Sequence, residues 1–171
     1  DEGTSTQTTD QISANFERLG AQFGTAASRD MFAVNLRSLS DSDLLNPAVD
    51  QLLSILKDAQ VPQTSFDRIM QQNRIVLAMQ KDSPGTTIAI RFMQELYGKH
   101  PYAQPSTGTL ASVELIKPAD IRKFKDTYLV AKNLNIAIVG QMNLEQAKAL
   151  AERITQSLPQ GQHARSLPQP D

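Results

Sequence analysis

"AQFGTAASRDMFAVNLRS", residues 21–38, breaks the helical rhythm on either side of it. Phe32, Val34 and Leu36 alternate with small or polar residues, the pattern of a strand buried on one face. The preceding "AQFGTAA" reads as its partner, with Ser28–Asp30 as the turn. A hairpin set among helices makes the chain α+β.

Upstream of the hairpin, Thr8 and Gln11 have the spacing of a capping box. Ile12, Phe16 and Leu19 then share a helical face, and Gly20 closes it. Downstream, Asn46–Pro47 offers an N-cap with proline at N1, although a start nearer Asp41 is the alternative. Val49, Leu52, Leu53 and Leu56 line that helix. Pro62 and Ser65 open another, in which Phe66, Ile69, Asn73, Val76 and Leu77 share a face. Ser83–Pro84 starts a third with Ile88, Phe92 and Leu96, ending at Gly98. Beyond the loop "GKHPYAQPSTGT", residues 98–109, Lys117–Pro118 begins a shorter helix carrying Ile121, Phe124 and Tyr128. "NLNIAIVG", residues 133–140, is a continuous apolar run of strand length. Asn143 with Gln146 caps a last helix bearing Leu144, Ala147, Leu150 and Ile154. The predicted order is α-β-β-α-α-α-α-β-α. Three strands are few for a sheet, so the expectation is a mainly antiparallel sheet completed by strands encoded ahead of residue 1, with helices packed on one face. Residues 1–158 read as one partial domain and 159–171 as a linker or tail.

Bulk properties exclude several function classes. The 171 residues suffice for one sizeable core, and the net charge of −1 lacks the basic face that nucleic acid or an anionic membrane needs. No apolar run approaches the roughly 20 residues of a membrane span. The start, "DEGTSTQTTD", is polar and acidic, with no signal peptide in view. Cysteine is absent, which removes disulfides, thiolate metal sites and thiol nucleophiles.

The residues that bear chemistry are sparse. His100 and His163 are the only imidazoles and lie in different loops, so a zinc site made wholly within the chain would lean on carboxylates that do not cluster. No serine sits in G-x-S-x-G, and no phosphate loop carries its lysine. Asp41 and Asp43 read as complements to a helix dipole, and Met70 and Met79 as core filler. "KPADIRKFKD" alternates its charges and describes a solvated face.

The order of motifs says more. "EGT", "LGAQF", "RDMFAV", "GKHPYAQPSTGT", "ADIRKFKDTYL" and "NLNIAIVGQMN" resemble the pitrilysin/insulinase (inverzincin) family of zinc peptidases, in particular its bacterial processing-peptidase-like members. The resemblance runs from Glu2 to about Leu158. It implies a catalytic H-x-x-E-H motif just ahead of Gly3–Thr4, with two histidines on zinc and the glutamate as base on the metal-bound water. The chain thus corresponds to a portion that starts just after that motif's place. A second glutamate, the third ligand, is implied within residues 66–81, around Arg74 to Met79. No glutamate occurs between Glu17 and Glu95, and Ala78 or a neighbour stands at the ligand's place. The expectation is therefore a chain with no catalytic residue, no metal ligand and no cofactor, zinc belonging to active relatives. By the same resemblance Gly98, His100, Pro101, Tyr102, Gly108 and Thr109 form an architectural loop. Pro101 holds His100 extended, and the two glycines permit the reversals at either end.

The resemblance implies a non-catalytic domain that binds peptide, closes a chamber, or pairs with a second, zinc-bearing half, in a bacterial periplasm or envelope. Two alternatives stand beside it. One is an active zinc endopeptidase with its motif upstream, for which Glu95 or Glu114 would have to reach the metal. The other is a scaffold subunit without peptide binding.

Overall fold

The structure is a computed structural model that describes residues 2–169. Among these residues it contains seven α-helices and one two-stranded antiparallel sheet, an α+β fold. Two compact units divide the chain, Asp1–Val61 with Arg122–Ala164 and Pro62–Ile121 with Arg165–Asp171.

The first unit opens with α1 (Thr9–Arg18), whose capping box closes as the sequence predicts: Thr8 Oγ1 accepts from the Gln11 N–H, and Gln11 Oε1 accepts from the Thr8 N–H. β1 (Gln22–Ala27) and β2 (Phe32–Arg37) form the hairpin, registered Phe23 to Leu36 and Thr25 to Val34. The Ser28 N–H donates to the Met31 carbonyl at 2.8 Å and closes the turn. Next comes α2 (Ser42–Asp58), capped by the Asp41 carboxylate accepting from the Asp43 N–H. The start nearer Asp41 is thus the one that forms, and Pro47 lies inside the helix.

This helix is apolar on two sides and organises two cores. Ala48 and Ile55 pack with Ile12, Phe16 and Ala21, where the Phe16 and Phe23 rings stack at 5.2 Å. On its other side Val49, Leu52, Leu53 and Leu56 pack with Leu158, with Val34, Leu134, Leu150 and Ile154 half-buried against them. The last two come from α7 (Leu144–Gln156), which begins at the predicted Asn143–Gln146 capping box. Residues 159–164 also touch this unit: Ala131 N–H donates to the Pro159 carbonyl at 2.8 Å, and Ala164 N–H to Asn133 Oδ1 at 2.8 Å.

The predicted third strand does not form. Leu134, Ile136 and Ile138 are half-buried while Asn135, Ala137 and Val139 are exposed, so the alternation of a strand is present. A strand also needs a neighbour to take its N–H and C=O groups, and no ladder reaches this segment among the described residues.

The second unit holds α3 (Gln63–Lys81), α4 (Pro84–Tyr97) and the short α5 (Leu110–Val113), which the sequence reading passed over. Met70, Leu77 and Val113 are its buried cluster, with Phe66 against it. The face of α3 is therefore turned from the predicted one: Ile69 and Val76 are exposed, and so is Met79, which is not core filler. α6 (Pro118–Tyr128) starts at the predicted proline.

Candidate functional site

Two places carry the expectations about chemistry, the ligand position on α3 and the loop at residues 98–109. On α3 the side chains from Arg74 to Met79 are Arg, Ile, Val, Leu, Ala and Met. None offers a carboxylate or imidazole, and zinc takes its ligands from Cys, His, Asp and Glu. Arg74 brings a cation instead, 3.9 Å from the Glu114 carboxylate. Glu114 is thereby engaged at the surface with an arginine, and Glu95 lies on the neighbouring α4. Among the described residues no three His, Asp or Glu side chains come together in a group able to hold a metal ion. The described residues do not fit zinc.

The loop is built tightly. α4 ends at Gly98, whose φ of +52° is a conformation that side chains rarely adopt. The His100 N–H then donates to the Tyr97 carbonyl at 2.8 Å. Pro101 fixes the first position of a 3₁₀ turn, Pro101–Ala103, and His100 caps it by accepting the Tyr102 N–H on Nδ1 at 3.1 Å. The rings of His100 and Tyr102 meet edge to face at 4.7 Å, and Tyr97 lies 5.5 Å from Tyr102. His100 is the buried polar residue of the described chain, and its Nε2 stands 2.9 Å from the Pro168 carbonyl. At the other end Gly108 has φ +74°, and a Cβ there would come within 3.0 Å of Ser112 Oγ. Thr109 caps α5 through a reciprocal bond with Ser112. Gly98, His100, Pro101 and Tyr102 thus form one turn, while Gly108 and Thr109 shape the start of α5.

Sequence reasoning missed two features. Asp58 accepts from the Ser5 N–H at 2.8 Å, from the Ser5 hydroxyl, and from Gln60 Nε2 at 2.8 Å. These bonds, the Ser5 ones first, hold its carboxyl below the usual aspartate range. Beside it Lys125 Nζ donates to the Lys57 carbonyl at 3.0 Å and to the Ala59 carbonyl at 3.4 Å, closing the end of α2. The second is the return of Pro168 to His100. Both join residues more than fifty positions apart, which no local pattern encodes. A shallow cleft of about 460 Å³ between α2 and α7 is lined by Asp50, Lys57, Glu152 and Arg153. There Arg153 already pairs with Asp50 and donates to Asn46 Oδ1, so its charge is answered from within.

With this geometry in view, comparison with known proteins places the chain. A profile of the family described as peptidase M16 inactive domain matches residues 116–171. An uncharacterized zinc protease of Rickettsia felis is 26% identical over 172 residues, covering 97% of this chain and 40% of that protein. A crystal structure described as the peptidase M16 inactive domain from Pseudomonas fluorescens aligns with a TM-score of 0.94 and 34% identity, over 99% of this chain and 41% of that one. Pitrilysin itself aligns with a TM-score of 0.68 at 17% identity, a likeness of fold. These matches support a fragment of an M16 peptidase, the family of pitrilysin. The chain spans about 40% of the length of the two Rickettsia relatives it matches. Among the described residues no helix is long and apolar enough to cross a membrane.

Proposed function

We propose that this chain is part of a non-catalytic M16 half, which pairs with a zinc-bearing half and helps to bind an extended peptide and close the chamber around it. The observation that carries the reading is α3: between Arg74 and Met79 it offers no side chain able to ligate zinc. The match to an inactive-domain profile and the likeness to the Pseudomonas structure support it. The outer edges of the β1–β2 hairpin offer backbone groups to which a peptide can add as a strand. Gly98, His100, Pro101, Tyr102, Gly108 and Thr109 have an architectural role in this reading, with no part in metal or substrate chemistry.

The test is metal analysis of the intact purified protein after dialysis against zinc, with peptidase assays alone and with its zinc-bearing partner. The expected result is zinc far below one equivalent and no cleavage by the protein alone. One equivalent of zinc, with peptide hydrolysis abolished by a chelator, would sink the proposal.

A further inference from the structure

Residues 165–169 are tied to the His-Pro-Tyr corner by one ring. The His100 side chain is buried, and both of its nitrogens have backbone partners in the second unit. A backbone N–H can only donate, so Nδ1 facing the Tyr102 N–H at 3.1 Å must carry a lone pair. The proton of the neutral ring then sits on Nε2, which faces the Pro168 carbonyl at 2.9 Å, a group that can only accept. One tautomer satisfies both contacts and the other satisfies neither. Residues 165–169 suit such a seat. Pro168 holds Leu167 extended, and an extended segment leaves its carbonyls free to accept. Residues 165–169 have no secondary structure, and their side chains are exposed, Leu167 at 48%. What the corner grips is thus backbone, in the manner of aromatic-lined sites for proline-containing strands.

We propose that His100 is a tether: its Nε2–H holds the Pro168 carbonyl and fixes the path of residues 165–169 over the corner. Gly98 and Pro101 place the ring, Tyr102 sets its tautomer through its N–H, and the rings of Tyr97 and Tyr102 flank it. The tether requires neither peptide binding nor a partner half, so it stands or falls apart from the function proposed above.

Two measurements on the intact protein test it. In the wild type, the nitrogen-15 shifts of His100 should report a neutral ring protonated at Nε2; a ring protonated at Nδ1 overturns the tether. The second is trypsin cleavage after Arg165, compared in the wild type and in His100→Phe, which keeps a ring and loses both nitrogens. Release of one net hydrogen bond of about 1 kcal/mol predicts cleavage about fivefold faster after Arg165, with cleavage after Lys81 unchanged. An unchanged rate at Arg165 in a variant with the wild-type unfolding midpoint overturns the tether. So does an equal acceleration at Lys81, which marks general loosening. Should His100→Phe fail to fold, the tautomer measurement on the wild type decides.

Discussion

At Gly161 the chain passes so close to Val130 that a Cβ would lie 2.4 Å from the Val130 Cβ, and the local φ is +63°. Both facts exclude a side chain: the first by overlap with a buried neighbour, the second by backbone strain. Gly161→Ala is expected to cost about 2 kcal/mol or more, read as a lower urea midpoint at unchanged slope. A midpoint equal to the wild type would mean that residues 159–164 do not hold this position in solution. Asp58 makes a second argument at this scale. Its folded carboxyl titrates below the usual 3.8, because the Ser5 bonds favour the charged form. Its contribution is therefore present at neutral pH and is lost as the pH falls below 3.8 toward the folded value. Asp58→Asn should be less stable than the wild type at pH 7, and the gap should close in acid. A gap that stays constant down to the acid transition would show that the Ser5 bonds do not select the carboxylate.

Helices carry the same residue in opposite settings. Ile12 on α1 is 1% exposed in the core with Phe16 and Ala48, whereas Ile88 on α4 is 69% exposed. Ile12→Ala should destabilise by about 2–5 kcal/mol, and Ile88→Ala by less than about 0.5. Equal losses by chemical denaturation would mean that α4 has a partner in solution. The sequence held most of what builds these elements. The capping boxes at Thr8 and Asn143, the Ser83–Pro84 start and the period-2 hairpin are local signals, and each forms where it is written. Asn46–Pro47 misled as a start because Asp41 offers an earlier carboxylate cap, and α2 carries Pro47 inside it despite the lost bond and the crowding of the preceding turn. That Arg74 to Met79 hold no carboxylate is read directly from the sequence, since an absent residue type needs no structure. The buried face of α3 was legible in part: Leu77, Phe66 and Met70 pack as expected, but Ile69 and Val76 stay exposed because the partner, Val113, comes from a distant segment. His100 was visible as part of a shaped loop, but its partner lies 68 residues away.

Across the whole molecule, the apolar pattern calls for more neighbours than the described residues supply. Ile88, Phe92 and Leu96 on α4 and Phe124 on α6 are each more than half exposed, and Val139 is fully exposed. Segment 134–139 is the sharpest case, since it has a strand's alternation with no ladder partner among the described residues. An extended apolar segment with free backbone groups is a template for pairing with another chain. The 171-residue chain in solution is therefore expected to self-associate as its concentration rises into the micromolar range, by sedimentation or light scattering. Val139→Lys places a charge on the exposed face of that segment and removes no packing, so it should suppress association while leaving the unfolding midpoint within about 0.5 kcal/mol of the wild type. If the lysine variant associates as strongly as the wild type, the contact lies elsewhere, and the exposed face of α4 becomes the next surface to charge. If the wild type stays monomeric throughout, the segment's edge is already covered in solution.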